Sequence, residues 1–299
     1  MWETAVRLVR HSEDQGVETR AAARRFFKND AEYQAFVDAL RNPPPPRWQA
    51  EQDARSAKRQ SERDTSWSKF RTGLANEQEE LRQARFGVMH QVANVYLGRY
   101  SDLNTLKSID DRLEALCGPE MVGPVLAAFE TYLNILPPYP HAALIAGSYA
   151  ESKGWSAGYI LLSALAERVR STGSLGYLDE DQLLQAQLHF SNHSLSSDEW
   201  KDVKDAAWAA TLADERIFER FARLLFEPSL ARNKEHVAGS HELLTNGAEK
   251  HPKIVSFLAA EWLERFPDMH SRPEAELMDV LLSRGHQEML APLVSSRLG

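Results

Sequence analysis

Asp110-Asp111-Arg112-Leu113-Glu114 has the D-D-x-x-D/E spacing with which a helix presents carboxylates to magnesium and a diphosphate. Such a hard cation takes oxygen ligands. A second metal-holding set, with Asn, Ser and Glu at four-residue steps, is absent from the sequence. Acidic residues in a first helical turn also complement the helix dipole without any metal. His189 and His193 lie four apart, which puts two imidazoles on one helical face and can begin a zinc site. No Glu follows His189, so H-E-x-x-H is missing, and both histidines fall in a last turn, where they suit the negative end of the dipole. His236 and His241 differ by five and diverge on a helix. Cys117 is the only cysteine. It is a candidate nucleophile with no base that the sequence can place beside it, and a structural cysteine at a helix end fits equally.

Other chemistries are excluded by spacing. No two glycines stand two positions apart, so a G-x-G-x-x-G dinucleotide loop cannot form. Gly118 and Gly123 have the offset of a phosphate loop, but Pro124 stands where its lysine belongs. Gly147-Ser148 lacks the flanking glycines of a nucleophile elbow. The chain of 299 residues carries a net charge of −8, with 43% hydrophobic and 26% charged residues, an ordinary soluble globular composition. Only the first hundred residues lean basic, and weakly. Nucleic-acid binding is therefore not favoured, because phosphate neutralisation supplies most of that affinity. One cysteine suits a reducing cytosol, so a cytoplasmic location is expected. No run approaches the roughly 20 apolar residues that span a bilayer. Met1 to Arg10 mixes charged and apolar residues, unlike a secretory signal.

The elements that must position these residues read as helices throughout. Trp2, Ala5, Val6 and Val9 share one side of a helix over 2–13, Thr19 to Lys28 brings Phe26 and Phe27, and Asp30 caps a run holding Tyr33, Phe36, Val37 and Leu40. Pro43 to Pro46 then stop the helix and favour an extended segment. Trp48 to Leu97 contains no proline and reads as one helix of roughly 75 Å. From Gln49 to Ser66 nothing apolar exceeds Ala, so this half is a polar arm supported by pairs such as Lys58–Glu62. An apolar row follows at Trp67, Leu74, Leu81, Val88 and Val95, half of a coiled-coil seam.

Beyond Gly98, prolines and glycines punctuate shorter helices. These are 110–116, 119–136, 141–152, 155–171, 178–192, 198–211, 214–226 ended by Pro228, 235–247, 252–266, 273–284 and 287–298. Met289, Leu290, Leu293 and Val294 form the last apolar stripe. No segment alternates with period two. The expected organisation is an N-terminal helical segment (1–42), a proline linker (43–47), a long helical arm (48–97) and a helical-repeat domain (98–299). The expected fold is all-α, a degenerate α-solenoid-like stack of helical hairpins with one long protruding charged helix. Most of the seven tryptophans belong in hairpin cores. Trp48 and Trp67 bracket the polar arm, and with Arg55, Lys58 and Arg59 they are the candidate protein-interaction residues.

Val95-Tyr96-Leu97-Gly98-Arg99-Tyr100-Ser101-Asp102-Leu103 follows the long charged helix and leads to Asp111-Arg112-Leu113. The tail carries Phe257-Leu258-Ala259-Ala260-Glu261-Trp262-Leu263-Glu264-Arg265-Phe266-Pro267-Asp268, then Leu281-Leu282-Ser283-Arg284-Gly285. Together these stretches resemble the helical regions C-terminal to the ATPase core of bacterial NACHT/STAND-type NTPases, from about Pro43 onward. The resemblance implies a sensor module that recognises a foreign or regulatory protein, often in antiphage defence. The family's phosphate loop is missing, so no nucleotide-switch residue carries over. The expectation is a non-catalytic protein-binding module with no cofactor, metal or membrane partner. The alternatives are a magnesium- and diphosphate-dependent enzyme using Asp110, Asp111 and Glu114, and weak nucleic-acid binding by the arm.

Overall fold

The computed structural model describes residues 21–22, 24–25, 27, 29–41, 47–100, 103, 106, 108–135, 141–193 and 200–284. The expected helices at 2–13 and 287–298, the proline segments at 43–46 and 137–140, and the stripe of Met289, Leu290, Leu293 and Val294 lie outside them. The fold is all-α, with no strand among the described residues. The chain divides into two compact units at Ser66/Trp67, inside the stretch that reads as a single arm.

In the first unit, α1 (Asp30–Arg41) is capped by Asn29, whose side-chain oxygen accepts the Glu32 amide at 2.8 Å. The cap is thus one residue earlier than the Asp30 the sequence suggests, because the acceptor must reach the third amide inside the helix. The long helix α2 (Arg47–Asn76) begins here. Its side chains from Trp48 to Ser66 are exposed except Arg63.

The second unit starts with the end of α2 and continues through α3 (Gln78–Arg82) and α4 (Phe86–Tyr96). Residues 48–97 are therefore three helices, not one. The break has no proline and no glycine: Ala84 takes a left-handed φ of 48° and Arg85 is extended. Its cause is burial. Helix α3 buries a single side chain, Leu81, whereas α4 buries Val88, Met89, Val92, Ala93, Val95 and Tyr96, most of its circumference. A straight rod cannot lie on a core by one stripe and then be enclosed by it, so the chain turns at Ala84.

Next come α5 (Ile109–Cys117), α6 (Pro119–Asn134), α7 (Ala142–Ala150), α8 (Ser156–Thr172), α9 (Glu180–Asn192), α10 (Lys201–Leu212) and α11 (Glu215–Leu230). Ser108 caps α5, Asp214 caps α11, and Asp179 with Gln182 forms a reciprocal capping box on α9. Pro228 does not end α11. A proline in the last turn costs one backbone hydrogen bond, and continuing to Leu230 buries Leu230 beside Leu225 and Phe226. The helix expected over 235–247 begins later. It comprises α12 (Ser240–Glu242), a π-helical turn (Leu243–Gly247) and α13 (Ala248–Lys250). At Gly247 a Cβ would stand 2.7 Å from the Phe218 ring, so this wide turn and its glycine admit an aromatic side chain against the backbone. Helices α14 (Pro252–Arg265) and α15 (Ser271–Ser283) complete the described unit.

Consecutive helices pair, as α5 with α6, α9 with α10 and α14 with α15, and each pair leans on the next. Two cores result. The first gathers Met89, Tyr96, Phe129, Leu162 and Val203; the second gathers Ile145, Phe218, Phe226, Leu258 and Trp262. Helix α9 divides them, sending Ala186 and Phe190 to the first and Leu184 and Leu188 to the second. Every residue from Leu183 to Phe190 is consequently buried, including the polar Gln185, Gln187 and His189.

Candidate functional site

The candidate interaction residues separate. On α2 the seven- and eleven-residue steps from Trp48 place Arg55 and Arg59 on its face, within about 20° of it at 100° per residue. Trp48 is 63% exposed. Lys58 lies further round and sits 3.9 Å from Glu62. Trp67 belongs to the second unit and is half-buried against the first core, so it is no part of that face.

The carboxylates of the D-D-x-x-E pattern do not converge. Asp110 pairs with Arg170 at 3.2 Å, and Arg170 also holds Glu167 at 2.8 Å. Glu167 in turn accepts the Tyr96 hydroxyl at 3.2 Å. Asp111 sits in the capped first turn of α5, where its amide donates to Ser108. Arg112 is buried and donates to the Tyr96 carbonyl at 3.0 Å, closing the end of α4. Among the described residues no group of three His, Cys, Asp or Glu side chains is gathered to hold a metal ion. Cys117 is buried, and burial pushes its thiol up to about 12, which keeps it protonated.

The histidine pair is where the structure concentrates polar groups in an apolar setting. His189 and His193 stack with ring centroids 5.8 Å apart, and Tyr149 of α7 meets both edge-on. The Tyr149 hydroxyl lies 2.6 Å from His189 Nδ1 and 3.0 Å from His193 Nε2. A phenol has one proton, so it donates to one ring and accepts from the other. Hydroxyl-donated bonds are the shorter class and N–H···O bonds cluster near 2.9–3.0 Å. These lengths assign Tyr149 O–H to His189 Nδ1 and His193 Nε2–H to the Tyr149 oxygen. His189 then carries its proton on Nε2.

Burial, and then the neighbouring His193, push His189 down to about 3; burial and the nearby Arg99 guanidinium push His193 down to about 4. Both rings are neutral near pH 7. The glycine of α8 makes room for this cluster: a Cβ at Gly158 would lie 2.5 Å from His189 Nδ1. Arg99 stacks on Tyr159 at 3.8 Å, and Tyr159 leans on His193.

His189 also lines a cavity of about 600 Å³. The break at 83–86 forms one wall, Tyr132 and Trp155 supply further aromatic surface, and Gln185 lines it beside His189. Gln185 Nε2 donates to Asp181 Oδ2 at 2.9 Å, which turns its Oε1 away from that carboxylate. The spacing of His189 and His193 was legible in the sequence. Tyr149 and Gly158 were not, because they come from two other helices, whereas Gln185 stands four before His189 on α9, a spacing that could have found it. Comparison with protein-family models, with curated proteins and with solved structures finds no match.

Proposed function

We propose that this protein is a non-catalytic module that binds a protein partner through the Trp48–Arg55–Arg59 face of α2. One observation carries the reading: Trp48 is 63% exposed on a helix whose other described side chains as far as Glu62 are exposed too. An indole left in water beside guanidinium groups is the combination that dominates binding energy at protein interfaces. The all-α array suits such a task, since stacked helices offer surface without catalytic geometry. A place as the recognition part of a STAND-type defence system follows from the resemblance of 95–103 and 257–268, and is proposed on that ground alone.

The test is site-specific photo-crosslinking from Gln52, adjacent to Trp48 on the same face, in cells of the source organism. A discrete adduct that disappears in Trp48→Ala and weakens in the Arg55→Ala/Arg59→Ala pair is expected. An adduct indifferent to Trp48→Ala, or none at all, overturns the proposal.

A further inference from the structure

We propose that the cavity beside His189 is a binding site for an uncharged small molecule with an aromatic or alkyl body and a carboxamide head. Its volume of about 600 Å³ falls within the range of sites that enclose small ligands. Phe86, Tyr132 and Trp155 give it aromatic walls. Two of its polar lining residues, His189 and Gln185, four apart on α9, each keep an atom with no partner among the described residues. His189 is fixed by Tyr149 as the Nε2–H tautomer, so it offers a donor, and Nε2 has no protein partner among the described residues. Gln185 gives one amide N–H to Asp181, which can only accept, and its acceptor Oε1 has no partner among the described residues. A donor beside an acceptor is the complement of a carboxamide, whose carbonyl accepts and whose N–H donates.

The charges nearby favour a neutral head. Asp181 spends its oxygens on Gln185 and the Ala142 amide, with Arg220 at 4.0 Å. Among the described lining residues the only charged one is Arg85, which is exposed. A buried carboxylate or ammonium would therefore lose its hydration without a buried counter-charge. Trp155 adds an indole N–H that is buried without a partner among the described residues, in the same wall. An unsatisfied buried donor of this kind marks a place where a ligand or water completes the structure.

The experiment titrates the full chain with 4-butylbenzamide, 4-butylbenzoate, 4-butylbenzylamine and methyl 4-butylbenzoate, followed by ligand-observed NMR. The amide is expected to bind saturably and at least tenfold more tightly than each of the other three. The ester keeps the acceptor and loses the donor, so it leaves Gln185 Oε1 unpaired. Gln185→Met is expected to abolish the amide-over-ester preference, and Ala157→Phe, which fills the cavity, to abolish binding of all four. Equal or tighter binding of the benzoate would assign the site to anions through Arg85 and overturn the proposal. So would absence of saturable binding, or tighter binding of the amine. The wild-type series decides the matter even if either variant fails to fold.

Discussion

Gly158→Ala should destabilise the second unit, although alanine is the better helix former. The gain in intrinsic propensity is up to ~1 kcal/mol. Against it stands the new methyl, which would sit 2.5 Å from His189 Nδ1, 2.6 Å from Cε1 and 2.9 Å from Cγ. Carbon contacts are optimal at about 3.5–4.0 Å, so the ring must retreat by about 1 Å. It cannot do so and keep the 2.6 Å bond from Tyr149. Forcing a methyl into a packed site costs about 1–3 kcal/mol, and leaving a buried partner unsatisfied costs about 1–3 kcal/mol more. The net expectation is a loss of about 3 kcal/mol, or roughly 6–12 °C in melting temperature for a unit of this size.

The control is Gly147→Ala in α7, inside the helix and with nothing within 4 Å of its Cβ position, which should be stabilising. Thermal unfolding followed by circular dichroism measures both. A third variant isolates the cause: in a His189→Ala background the ring is gone, and Gly158→Ala should become neutral or stabilising. If Gly158→Ala stabilises the wild-type chain as Gly147→Ala does, the packing of His189 against α8 is wrong, and with it the Nε2–H tautomer that the bond from Tyr149 assigns.

Three further outcomes are expected. Trp262 is fully buried, stacks on Phe226 at 4.7 Å and donates to Glu227, so Trp262→Ala should cost about 3–5 kcal/mol in urea unfolding; a change below ~1 kcal/mol would refute its place in the core. His189 and His193 have folded-state values near 3 and 4, below an unfolded value near 6.5, so the unfolded chain takes up protons first as pH falls. Stability should be flat above pH 6.5 and fall below it by up to ~1.4 kcal/mol per pH unit for each ring, and a slope between pH 6.5 and 5 that persists in His189→Gln/His193→Gln would exclude these rings as its source. Amide exchange should be fast over Gln49 to Ser66 and slow over Val88 to Leu97, where the side chains are largely buried; equal protection would contradict the exposure of the polar stretch.

The sequence by itself determined the helical class and most helix limits in the second unit, because the signals that set them act within a few residues. Gly118 at φ 92° separates α5 from α6, Pro252 opens α14 where its missing N–H costs nothing, and the Asp179–Gln182 box starts α9. Apolar periodicity likewise placed Phe129, Val125 and Trp262 in the interior.

Tertiary packing decided the rest. The turn at Ala84 has no local breaker; it exists because α4 must be enclosed while α3 lies on the core by one stripe. The pairing of Asp110 with Arg170 joins residues sixty apart, and it removes from the acidic motif the freedom its spacing suggested. His189 and His193 read as dipole partners at a helix end, yet His189 is buried because α9 separates two cores and has almost no solvent face. The Tyr149 hydroxyl and the missing Cβ of Gly158 come together where α7, α8 and α9 meet, and the cavity beside them also takes walls from the break at 83–86 and from α6. Local propensity reaches one turn along the chain, whereas burial and tautomer depend on which distant side chains come to rest against a ring.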